Sequence, residues 1–178
     1  KEKDDIDRDL KRAEEEHKRL VDEIRETLKE IEREHRERVK RIKEKLDEAK
    51  RRLEKLKRDR PVEDKLEKDL ERRLREIEKK LRKHHKEVKD ILRAIEEEIR
   101  RHHRTVRERL RAIRERIKKD GVTEKILEDI KREVDRVRKN LKEIKEKIDK
   151  EREDVKRDLD RIRKEIEELV EKVDRDVK

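Results

Sequence analysis

The stretch KKDGVTE, residues 118–124, contains the only glycine in a chain of 178 residues. Its two lysines suit the last turn of a helix, where cations complement the negative end of the dipole. Gly121 then reads as the stop residue, in the left-handed conformation that glycine tolerates. Thr123 reads as the cap of the next helix, with Val122 and Leu127 placed for a hydrophobic staple. The other interruption is RDRPVED, residues 58–64, which holds the only proline. Pro61 suits the first turn of a helix, and Glu63 and Asp64 complement its positive end. The two breaks leave three segments of nearly equal length, with helices expected over about 2–59, 61–119 and 123–177.

Composition alone argues the other way. The chain is 66% charged and 27% hydrophobic, with no aromatic residue, Cys or Met. Such chains are often disordered, although long helices rich in Ala, Leu, Glu, Lys and Arg share the composition. Periodicity decides between them. Apolar residues step by three and four: Ile6, Leu10 and Ala13, then Leu20, Ile24, Leu28 and Ile31 in the first segment. Leu70, Leu74, Ile77 and Leu81 do the same in the second, and Ile130, Val134, Val137 and Leu141 in the third. One narrow apolar stripe per segment is the mark of an amphipathic helix. Short loops make neighbours antiparallel. The expected fold is all-α, a straight antiparallel up-down-up three-helix bundle of long helices forming a single domain over 1–178.

The stripe also repeats every eighteen residues, as in Ile6, Ile24 and Ile42, or Leu74, Leu92 and Leu110. Eighteen residues make five turns at 3.6 per turn, a period between those of left- and right-handed supercoils. Nearly straight helices follow. The six histidines fall on this repeat. His17 and His35 occupy the slot that continues to Leu53, and His84 and His102 the slot that begins at Leu66. Antiparallel pairing of the first two helices sets His17 against His102, His35 against His84 and Leu53 against Leu66. The third helix, parallel to the first at an offset near 120, adds Val137, Val155 and Val173. Two histidine layers result: His17, His102 and His103 in one, and His35, His84 and His85 in the other. The first member of each doublet faces the core, and the second lies about 100° round the helix, at the rim.

These features together resemble de novo designed, parametrically generated helical bundles, over the whole chain. The layer repeat, the two single loops, the Leu/Ile/Val/Ala core and a Lys/Arg/Glu/Asp surface without Ser or Gln carry the resemblance. The paired histidines are similar to those of designed bundles with buried histidine networks that come apart in acid. Here the layers contain no Ser, Gln or Tyr, and the third helix contributes no histidine. The resemblance implies a very stable, soluble scaffold suited to recombinant cytoplasmic expression.

Three uses of the histidines compete. They can be structural hydrogen-bonding groups. They can be a proton switch, because burial disfavours the charged imidazole and stability then falls as pH drops. They can bind Zn²⁺ or Cu²⁺, although adjacent residues diverge on a helix and make a poorer chelate than an i, i+4 pair. Haem is disfavoured by the slim core. Arg152 occupies an apolar slot beside the middle layer, where its stem packs and its head reaches water. Asn140, the only asparagine, stands near the His17 layer. The net charge of +10 is concentrated in the middle segment, yet the cations gather at helix C-termini and no aromatic is present to stack on bases. No Cys or Ser nucleophile and no glycine-rich loop exists, so no enzyme is expected. The sequence requires no cofactor, membrane span, specific nucleic acid or partner. It favours a monomer, with the His85 and His103 rim as the one place for a second copy to dock.

Overall fold

A computed structural model describes residues 2–59 and 64–176. The protein is a three-helix bundle of α1 (Glu2–Asp59), α2 (Asp64–Asp120) and α3 (Glu124–Asp176). Expectations placed on Pro61, Glu63 and Val177 lie outside the described residues. Asp64 and Glu67 do occupy the first turn of α2, and Lys118 and Lys119 its last. No helix among the described residues is long and apolar enough to cross a membrane.

The loop between α2 and α3 has the expected geometry. Gly121 has φ +71°, and its N–H donates to the Ile117 carbonyl at 2.9 Å, the single bond of the αL cap. The Ile126 N–H donates to Thr123 Oγ1 at 3.2 Å, and the Leu127 N–H to the Thr123 carbonyl at 3.1 Å. The staple is different. Leu127 stays 42% exposed, and its neighbour Ile126, at 1%, is the residue that enters the core.

The chain forms two compact units. Unit 1 comprises residues 1–30 and 92–150, one stretch from each helix. Leu10, Ile24, Ile99, Val106, Leu110, Ile117, Ile126, Leu141 and Ile148 fill its core. Arg25 with Glu96 and Arg114 with Glu14 link α1 to α2 at its edge. Arg138 with Glu16 links α3 to α1, and Lys147 with Glu98 and Arg116 with Asp129 link α2 to α3.

Unit 2 comprises residues 31–91 and 151–178. Val39, Leu46, Leu53, Leu70, Leu81, Val88, Leu159, Ile166 and Val173 are buried in it, while Leu66 is half-buried. Lys45 with Glu167 and Arg52 with Asp174 join α1 to α3 at a sequence separation of 122, the same separation as Arg138 and Glu16 in unit 1. The near-120 offset is therefore present in each unit. Arg152 is half-buried and its guanidinium pairs with Glu34 of α1, Nε donating to Oε2 at 3.3 Å.

The edges of the stripes differ from the sequence reading. Val21 is buried and Leu20 half-buried, Leu169 is buried and Val170 half-buried, and Glu133 is buried where Val134 was expected. Residues one apart lie 100° apart on a helix, so at the edge of a narrow stripe both are candidates, and neighbouring helices choose.

Candidate functional site

In unit 2, α1 supplies His35, α2 supplies His84 and His85, and α3 supplies Val155 and Asp158. His35 and His84 are 2% and 8% exposed, and His85 is half-buried. His35 Nε2 lies 3.0 Å from His85 Nδ1. The two rings are nearly parallel, 10° apart, with centroids 5.1 Å apart. That centroid distance exceeds the nitrogen distance by about two ring radii. The rings therefore meet edge to edge along an N–H···N bond and do not lie face over face. His84 packs edge-on to His35 at 5.8 Å, and its Nδ1 lies 3.8 Å from Asp158 Oδ2.

The bonding assigns the tautomer. His35 Nδ1 is buried with no hydrogen-bond partner among the described residues. A neutral imidazole carries one N–H and one bare nitrogen. An orphaned buried N–H is the costlier group to leave unpaired, so the proton sits on Nε2 and is donated to His85 Nδ1. His85 then carries its own proton on Nε2, at the outer side of the layer.

Unit 1 repeats the arrangement. His17, 4% exposed, has Nε2 at 3.3 Å from His103 Nδ1, with ring planes 7° apart and centroids at 5.4 Å. His102 packs edge-on at 5.3 Å. Again the core Nδ1 is buried without a hydrogen-bond partner among the described residues, as is His102 Nε2. The surroundings are not identical. Glu133 of α3 is 7% exposed, paired with Arg109 at 3.3 Å and Arg136 at 3.7 Å. Asn140, half-buried, holds in the repeat the slot that Asp158 holds in unit 2. A cavity of about 20 Å³ adjoins His17, lined by Ala13, Leu20, Val134, Val137 and Glu133 among others.

Electrostatics follow from this packing. Burial, reinforced by the two histidines beside each, holds His17 and His35 down to about 4 from the ordinary imidazole value of 6.5. Burial also lowers His85, helped by Lys89, Lys43 and Arg36. It lowers His103, with Arg107 and Arg25 adding to the effect and Asp22 opposing it. His102 is lowered by burial and by Arg109, while Glu133 opposes. Each cause is one of desolvation or neighbouring charge.

All six sequence-predicted histidines thus gather into the two expected layers. The rim members turn inward onto the histidines of α1, a contact the doublet spacing did not reveal. Glu133 was missed because a Glu beside a valine at a stripe edge reads as surface. The only signal was its place in the slot that continues to Leu169. Among the described residues no group of three or more His, Asp or Glu could hold a metal ion. In each layer the two bonded nitrogens point at one another, so lone pairs do not converge on a common centre. Comparison with protein-family models, curated proteins and solved structures finds no match.

Proposed function

We propose that the chain is a designed helical scaffold whose two buried histidine layers make its stability fall in acid. The observation that supports this most is the bonding of His17 and His35. Each commits its one N–H to a neighbouring histidine and keeps a bare Nδ1 buried. A second proton can only go to that Nδ1, where no acceptor stands among the described residues. Protonating the rim histidine at Nδ1 has the same result, because the core Nε2 must then become the acceptor and its proton must move to Nδ1. Either event orphans a buried N–H or breaks the N–H···N bond, at a cost of about 1–3 kcal/mol, beyond the cost of burying the charge.

The sign follows from linkage. Between pH 6.5 and about 4 the unfolded chain holds protons at positions 17 and 35 that the folded chain does not. Stability is complete above pH 6.5 and is lost as pH falls through this window. At pH 4.5 the two groups together remove roughly 5 kcal/mol, at about 1.4 kcal/mol per pKa unit. Guanidinium unfolding followed by circular dichroism at pH 7.5 and 4.5, in EDTA, tests the reading. The midpoint should drop by on the order of 1 M, and an unchanged midpoint would refute the proposal. Transition-metal binding at the layers is the second reading, and edge-to-edge pairing of the nitrogens weighs against it. Repeating the pH 7.5 measurement with Zn²⁺ in place of EDTA gives it its own test, a raised midpoint.

A further inference from the structure

In unit 1, α2 gathers positive charge on one face. From Arg100 the cations step by four and three in turn: Arg100, Arg104, Arg107, Arg111, Arg114 and Lys118. At 3.6 residues per turn all six fall within about 80° of one another, a single stripe roughly 27 Å long. Five of them are exposed and Arg114 is half-buried. The helix dipole accounts for Lys118, which stands in the last turn. Its influence fades within that turn, so the arginines farther back have no such local reason. Arg100 pairs with Glu96 at 3.6 Å and Arg114 with Glu14 at 2.9 Å. Arg104, Arg107, Arg111 and Lys118 form no ion pair with a described residue. Glu108 and Glu115 are the only acidic residues between Arg100 and Lys118, and both lie along one margin of the stripe. At the other margin Arg25 and Lys18 of α1 act on His103 together with Arg107, opposed by Asp22. The eighteen-residue repeat holds Arg82, Lys86, Lys89 and Arg93 in the slots of Arg100, Arg104, Arg107 and Arg111, so the cationic slots recur along the helix.

We propose that the Arg100–Lys118 stripe is a docking surface for duplex DNA, held through its phosphate backbone and indifferent to base sequence. Successive cations lie about 5 Å apart along the helix axis, and the whole stripe spans about eight base pairs at 3.4 Å each. Guanidinium forks match phosphate oxygens, so an arginine row suits this ligand better than a lysine row. The row is fixed on a straight helix packed in a bundle. A stiff duplex meets it without the ordering cost that a flexible polyanion carries. The chain has no aromatic residue, which disfavours single strands, whose binders stack bases on aromatic rings. A duplex stacks its own bases and needs none. A lipid surface would require an apolar anchor beside the charges. Among the described residues the one exposed large apolar side chain is Leu127, on α3 and away from the stripe. Contacts to phosphate alone carry no sequence information.

Fluorescence anisotropy of a labelled duplex of about 20 base pairs and mixed sequence, titrated with the full chain at pH 7.5, tests the surface. With the four unpaired cations each on a phosphate, affinity should fall by about 150-fold between 50 and 200 mM NaCl. In R104Q/R107Q/R111Q that fall should shrink to about fourfold, and binding at 50 mM should weaken by roughly tenfold or more. R107Q alone should lower the slope of log affinity against log salt by about one. The control K131Q/K142Q/K145Q removes three exposed lysines of α3, the same total charge, and should keep the salt dependence of the wild type. Glutamine preserves helix propensity, and unchanged guanidinium midpoints verify that both triple variants fold. Three outcomes overturn the proposal. The first is no binding at 50 mM NaCl. The second is an equal loss in the stripe and control variants, which would make net charge the cause. The third is stripe-dependent binding of heparin or of phosphatidylserine vesicles that is tighter than that of the duplex.

Discussion

At the scale of the residue, the decisive choice is where one proton sits on each core imidazole. His35 at 2% exposure is neutral because water is excluded, and it is oriented because His85 accepts from it at 3.0 Å. Replacing both core histidines by leucine, as the repeat does at Leu53, removes two polar groups and their titration together. The H17L/H35L variant should lose most of the pH dependence of its guanidinium midpoint. At pH 4.5 it should exceed the wild type by about 4–5 kcal/mol. Retention of the full acid response in this variant would move the cause to the rim histidines or to the surface carboxylates. The doublets and their register were legible in the sequence. The inward turn of His85 and His103 was not, because a side chain's rotamer depends on what the neighbouring helix offers.

Elements raise a different question, namely what starts and stops a helix and which face it buries. Gly121 adopts φ +71°, and a Cβ built there meets nothing within 4 Å. The cost of G121A is therefore backbone strain alone, about 1 kcal/mol, readable as a lower guanidinium midpoint at pH 7.5. Along α3, Glu133 is a buried charge in a slot that later holds Leu169. Burying a charge is costly even when it is paired, and an apolar residue of similar volume is often as good. E133L should thus be neutral or stabilising by about 1 kcal/mol at pH 7.5. It should also lower the titration of His102 seen by NMR, since Glu133 is the stronger of the two carboxylates, with Glu98, that oppose its depression. A loss of several kcal/mol would show instead that Glu133 organises the α2–α3 contact through Arg109. The sequence placed the helices to within a few residues, because caps and breakers are local. It misplaced Leu20, Val134 and Val170, because a stripe edge is decided by the adjoining helices.

On the scale of the whole molecule, charge is the dominant quantity. The net +10 with neutral histidines becomes more positive as histidines and then carboxylates take protons, and self-repulsion grows. At neutral pH most of the interhelical ion pairs are at least partly exposed and individually weak, the buried Glu133 with Arg109 being an exception. Added NaCl should leave the urea midpoint nearly unchanged or lower it at pH 7.5, and should raise it at pH 4.5 by screening the excess positive charge. A rise of the same size at both pH values would mean that repulsion, and not the histidine layers, limits stability throughout.

The sequence by itself determined that the chain is helical, that it has three helices, and that they alternate in direction. A 3.6-residue apolar period, one glycine stop and loops too short for any other return are local facts that no later packing can reverse. It also determined which histidines share a level, because an eighteen-residue repeat carries its own register once the loops are placed. Only the tertiary structure decided which nitrogen bonds to which, that Glu133 is buried, and that space remains beside His17 where Ala13 and Val134 are small. Those outcomes depend on three helices meeting at one point. Hydrogen bonds and voids at such a point are set by the shapes of side chains distant in sequence, which a pattern along a single helix does not record.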